Sequence, residues 1–112
     1  MRSALTFAAA LVGLLSSAIG PAAAEEAFTA SLSIRNRAFE PRELEVPANR
    51  KIELHIRNAD ASAAEFESHE LHREKVVAPG RDVTVSIGPL RSGRYEFFDD
   101  LNPQARGHII AR

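Results

Sequence analysis

Apolar and polar residues alternate along "FTASLSI", which sets Phe28, Ala30, Leu32 and Ile34 on one side and Thr29, Ser31 and Ser33 on the other. That period of two predicts a half-buried strand. "KIELHIRN" repeats it more cleanly, with Ile52, Leu54 and Ile56 against Lys51, Glu53, His55 and Arg57. Between them, "FEPRELEVPANR" carries a short strand with Leu44 and Val46 to one side, bracketed by Pro41 and Pro47, and Pro47-Ala48-Asn49 reads as a turn. Further on come a short Val76-Val77 strand, a Pro79-Gly80 turn and a strand with Val83, Val85 and Ile87 inward. A turn through Ser92-Gly93, a strand with Tyr95 and Phe97 inward, and a closing strand "GHIIAR" complete the pattern. Short strands between Pro and Gly turns, with no long helical period after residue 24, predict one all-β domain, a Greek-key β-sandwich of about seven strands.

The first 24 residues break this pattern. Arg2 precedes an apolar run from Ala4 to Ile19, then come Gly20-Pro21 and the small residues Ala22-Ala23-Ala24. This predicts a signal peptide over 1–24 and a secreted domain over 25–112, because the run falls short of the roughly 20 residues a membrane span needs. No membrane insertion is expected after cleavage. The chain has no cysteine, so a secreted domain of this size rests on its core and any bound metal or partner rather than on disulfides. Without Arg2, 13 Lys and Arg stand against 15 Asp and Glu, a net charge of −2. Such a balance argues against nucleic acid and anionic membrane surfaces as partners.

Candidate chemistry concentrates in "EFESHELHREK", residues 65–75, which hold four glutamates and two of the four histidines. If 65–69 is a strand, Glu65, Glu67 and His69 share a face and Phe66 turns inward. If Ser62-x-x-Glu65 is a capping box, one helical turn aligns Glu65, His69 and His72 instead. Either way Glu65 and His69 stay together, and carboxylates with imidazole suit hard or borderline cations. The competing reading is a solvated loop whose charges neutralise one another through Glu70–Lys75 and Arg73–Glu74. His55 and His108 read as surface histidines, and Asp99-Asp100 as a turn signal. With no Cys nucleophile, G-x-S-x-G elbow, H-E-x-x-H or phosphate-cradling glycine loop, an enzyme is not expected.

Taken in order, "FEPRELEVPANR", Asn58-Ala59-Asp60, "EFESHELHREKVVAPG", "VTVSIGPLRSGRYEFF" and "ARGHI" resemble the bacterial cupredoxin-like domains, in particular the cysteine-free type associated with periplasmic iron transport. On the blue-copper pattern of that fold, Glu65 falls at the first histidine and Asp99 at the cysteine. Asn102 lies near the second histidine, and Ala105 stands where methionine belongs. The related iron-transport domains often place a histidine before the proline of that last loop, where this chain has Asn102-Pro103. A type 1 copper centre requires a thiolate, which this chain lacks. The resemblance also places Asp99 and Asp100 beside the 65–75 segment. The expected metal set is therefore Glu65, Glu67, His69, Asp99 and Asp100, taking iron or cupric copper without type 1 chemistry. It implies a periplasmic accessory role in iron uptake, with a periplasmic metal-binding protein and a membrane iron permease as partners. The alternative is a metal-free β-sandwich module that docks protein through the same loops.

Overall fold

A computed structural model describes Gly13 and residues 26–112, so the expected leader over 1–24, Gly13 apart, lies outside the described residues. The described residues form nine strands and no helix. They are β1 (Phe28–Arg35), β2 (Ala38–Glu40), β3 (Glu43–Val46), β4 (Ile52–Asn58), β5 (Ala64–Ser68), β6 (Arg73–Val77), β7 (Asp82–Ile87), β8 (Gly93–Asp99) and β9 (Asn102–Ala111). One sheet runs β2-β1-β4-β7 and the other β3-β9-β8-β5-β6. Only β1 with β4 and β3 with β9 pair in parallel, the remaining neighbours being antiparallel.

The predicted alternation fixes which side chains meet between the sheets. Leu32 and Ile34 from β1, Ile52, Leu54 and Ile56 from β4, and Val85 and Ile87 from β7 form one inner face. Phe66, Val77, Phe97 and Ile109 form the other. Each large side chain so buried contributes roughly 1.5–3 kcal/mol. Phe97 sits at the centre, edge-on to Phe39 at 4.8 Å and tilted against Phe66 at 5.4 Å. Gly107 lies directly across the β8–β9 ladder from Phe97. A Cβ at Gly107 would lie 2.4 Å from the Phe97 Cζ and 2.6 Å from the Arg42 carbonyl oxygen. The close approach of that ring to the backbone therefore requires glycine.

Nine strands replace the expected seven or so for identifiable reasons. β2 is three residues long and buries only Phe39, too little for a period to show. β6 extends the expected Val76-Val77 strand back to Arg73; it is an edge strand exposed at every position except Val77, so residues 73–75 show no inward stripe. The last strand starts at Asn102 rather than Gly107, running through Pro103, because β8 pairs with it back to Asn102, while β3 pairs with it only over 108–111. The earlier part of β9 has a free side, where a missing N–H leaves no ladder bond unmade.

The loops at one end are pinned by side chains. Asn58, fully buried, donates through Nδ2 to the carbonyls of Ser62 at 2.8 Å and Val77 at 3.0 Å, and its Oδ1 accepts from the Asp60 N–H at 3.0 Å. The Asp60 carboxylate in turn accepts the N–H groups of Asn36 and Arg37, both at 2.8 Å. Those two residues form the β1–β2 turn with φ of 51° and 60°. Positive φ at both positions matches the tight hairpin turn whose twist suits paired strands.

Candidate metal site

β5 settles the conformation of the acidic segment as a strand. Ala64, Phe66 and Ser68 face inward, all buried, which turns Glu65 and Glu67 outward on the opposite side. The strand ends in a turn fixed by Ser68, whose hydroxyl donates to the Glu96 carbonyl at 2.7 Å and accepts the Leu71 N–H at 3.2 Å. On the other side, the Asp100 N–H donates to the Glu65 carbonyl at 2.9 Å, which brings the turn after β8 against the start of β5.

Three of the five expected residues converge. Glu65, Glu67 and Asp100 each offer one oxygen within 4.8 Å of the others. Two ligands on opposite sides of one ion lie about twice the metal–oxygen distance of roughly 2.0–2.6 Å apart, so this spacing fits a single hard cation. His69 stands at the edge of the trio. It lies in the turn beyond β5 with its side chain 78% exposed, Nδ1 3.7 Å from the Glu67 Oε1 and its ring 5.2 Å from Phe98.

Asp99 takes a different position. It is 4% exposed, and its Oδ1 accepts two backbone N–H groups at 2.9 Å, from Glu65 and from Leu101. A register shift between Phe98 and Asp99 interrupts the strand pairing there. Adjacent in sequence, Asp99 and Asp100 thus divide between them a clamp on the backbone and an outward oxygen donor. Asn102 likewise turns to the backbone, donating through Nδ2 to the Arg37 carbonyl at 3.2 Å.

Glu74 joins the acidic face without having been picked out in the sequence. It lies directly across from Glu67 in the β5–β6 ladder, a like-charge pair that destabilises a sheet. The hairpin register alone reveals it, since β6 has no period from which to read a face. Withdrawal from water, then Asp100, Glu74, Glu67 and Asp99 nearby, hold the Glu65 carboxyl above the usual carboxylate range. The neutralising pairs Glu70–Lys75 and Arg73–Glu74 do not form among the described residues. Arg73 donates instead to the carbonyls of Ser86 and His72.

The other histidines lie apart from this cluster. His55 is exposed on β4. His108 is half-buried on β9, with Nδ1 3.2 Å from Arg94 and Nε2 3.8 Å from Glu96.

A family model described as "Cupredoxin-like domain" matches residues 5–111. "Uncharacterized protein RP394" of Rickettsia prowazekii (strain Madrid E) is 45% identical over 80 residues, 70% of this chain; the chain spans only 64% of that relative's length. Among solved structures, the metal binding domain of the Streptococcus pneumoniae D39 Cu(I) exporting P-type ATPase CopA superposes with a TM-score of 0.66. It shares 13% identity and covers 78% of this chain and 96% of its own. The periplasmic domain of cytochrome oxidase subunit II (CoxB) of Bradyrhizobium japonicum also gives 0.66, at 14% identity, over 80% of this chain and 87% of its own. At such identities the two structures speak for the fold alone. Among the described residues, no helix is long and apolar enough to cross a membrane.

Proposed function

The chain belongs to the cupredoxin-like domain family, and from that premise we propose that it is a periplasmic accessory protein of iron uptake that binds and hands on a hard cation. The convergence of Glu65, Glu67 and Asp100 within 4.8 Å, with no Lys or Arg paired to them among the described residues, carries this reading. A cation relieves the mutual repulsion of the three carboxylates and their neighbour Glu74. Glu65, Glu67 and Asp100 supply the oxygens, and His69 adds a nitrogen at the rim.

The donor set decides what such a site takes. With no cysteine in the chain, a type 1 copper centre does not fit, whereas carboxylates with one imidazole suit iron or cupric copper. The cation is cargo in this reading, and the role is binding and transfer rather than enzymatic turnover. A periplasmic metal-binding protein and a membrane iron permease are the partners to which cargo would pass. The family resemblance supports that assignment to iron uptake, and a neighbour described as a periplasmic domain is consistent with the compartment.

Calorimetric titration with anaerobic ferrous iron, ferric iron, cupric copper and zinc tests the site. One-to-one binding abolished by Glu67→Ala/Asp100→Ala is expected. Absence of binding by the native protein, or full affinity in the double variant, overturns it. Leu101, 54% exposed on the same β8–β9 turn, favours one second reading, a metal-free module that docks protein through this end. That reading requires lost partner binding on Leu101→Ser with no metal bound at any stage.

A further inference from the structure

A groove of about 410 Å³, sharing no residue with the acidic trio, is lined by the β1–β2 turn and the start of β9. Three arginines line it, Arg37, Arg42 and Arg106, together with the amides of Asn36, Asn102 and Gln104. No carboxylate lines it. Its volume falls in the range of small-molecule sites.

Only one of the three guanidinium groups is neutralised. Arg106 reaches Glu96 at 2.6 Å and lies over the Phe98 ring at 5.0 Å. The side chains of Arg37 and Arg42 have neither a hydrogen bond nor an ion pair among the described residues. Their backbones, by contrast, are held. The Arg37 N–H is bound by Asp60 and its carbonyl by Asn102, while the Arg42 carbonyl accepts the His108 N–H at 2.7 Å. Two unpaired forks therefore project from fixed bases beside one groove. Guanidinium groups in that setting recognise carboxylate or phosphate oxygens by paired N–H donation.

We propose that this groove binds an oxyanion, a carboxylate or phosphate group of a small molecule, between Arg37 and Arg42. The site is separate from the acidic trio and carries the opposite charge, so it stands whether or not the protein holds a cation. The amides of Asn36 and Gln104 extend the donor set along the groove.

Amide chemical shifts of the isotope-labelled protein, followed during titration with citrate, with inorganic phosphate and with sodium chloride at matched ionic strength, test the proposal. Saturable shifts confined to residues 36–42 and 102–106 are expected with citrate, phosphate or both, and the stronger of the two identifies the oxyanion. Arg37→Gln/Arg42→Gln should weaken that binding at least tenfold while leaving the rest of the spectrum in place. Arg81→Gln, an exposed arginine outside the groove, should leave affinity unchanged. Shifts that never saturate, that chloride reproduces, or that survive the double substitution would overturn the proposal, as would equal weakening by Arg81→Gln.

Discussion

Replacing Asp99 by alanine separates a framework residue from a ligand. The carboxylate is buried and accepts two N–H groups through one oxygen, tying the start of β5 to the turn after β8. Hydrogen bonds to an ionised group contribute about 1.5–3 kcal/mol each. Leu101 is exposed, so water replaces part of that bond after substitution, and the Glu65 bond carries most of the loss. A destabilisation of about 3 kcal/mol follows. For a domain of this size that corresponds to a fall in Tm of roughly 12–24 °C, at about 4–8 °C per kcal/mol.

Asn at the same position keeps an acceptor and loses only the charge, so Asp99→Asn should recover most of the difference. Urea unfolding followed by far-ultraviolet circular dichroism, with the three proteins at one pH, measures both steps. Asp100→Ala is the matched control. Its side chain is exposed and faces outward, so stability should move by no more than about 0.5 kcal/mol, as at an ordinary surface position. Equal stability of Asp99→Ala and the native protein would refute the clamp. A large loss in Asp100→Ala would refute the division of roles between the two aspartates.

Gly107→Ala drives a methyl group into the Phe97 ring and the Arg42 carbonyl, and overpacking of that kind costs about 1–3 kcal/mol, visible as a lowered urea midpoint. Glu65→Gln should act in the opposite direction. Because the folded protein holds the Glu65 proton more tightly than the unfolded chain, the neutral form favours folding; that advantage is complete below the ordinary glutamate range and disappears as pH rises through the raised folded value. Glutamine stays neutral throughout, so the variant should be more stable than the native protein at pH 7 and match it near pH 3, and a deficit at pH 7 would contradict the repulsive cluster. If the acidic trio holds a cation, protons compete for Glu65, and calorimetric affinity should fall on acidification from a pH above the ordinary carboxylate range. Affinity flat down to pH 4 would exclude Glu65 from the site.

Phe66 shows why the strand at 64–68 was legible. A large aromatic between two glutamates has one reasonable place in a sandwich, the core, and its burial fixes the outward direction of Glu65 and Glu67. Asp100 entered the expectation through the family resemblance, and the Asp100–Glu65 backbone bond is the long-range contact that realises it. Asp99 could not be told from Asp100 in sequence, because the register shift that sends one carboxylate to the backbone depends on strands 66–67 and 102 meeting β8. Glu74 and β2 were hidden for the same reason. An edge strand and a three-residue strand have no inward stripe, so only their pairing partners define them. His69 was expected within the set, but the turn locked by Ser68 begins one residue too early to keep it on the strand face.

The place of Asp99 bears on what kind of metal chemistry this fold can host here. By resemblance it stands where a thiolate anchors copper inside the sandwich end, yet its oxygen is engaged by two backbone donors and holds the sheet together. The oxygen donors that remain, Glu65, Glu67 and Asp100, point outward from the strand face and the turn. In the proposed reading, a cation gathered there would keep water among its ligands, because hard oxygen donors at a surface impose no enclosed geometry. Such a site suits reversible capture and hand-over. At the position where the resemblance puts a thiolate, the carboxylate of this chain is buried and bound to the backbone. Asp99 and Asp100 thus divide their roles: the buried carboxylate holds the sandwich together, and the exposed one stands with Glu65 and Glu67 on the outer face, where the proposed cation would bind.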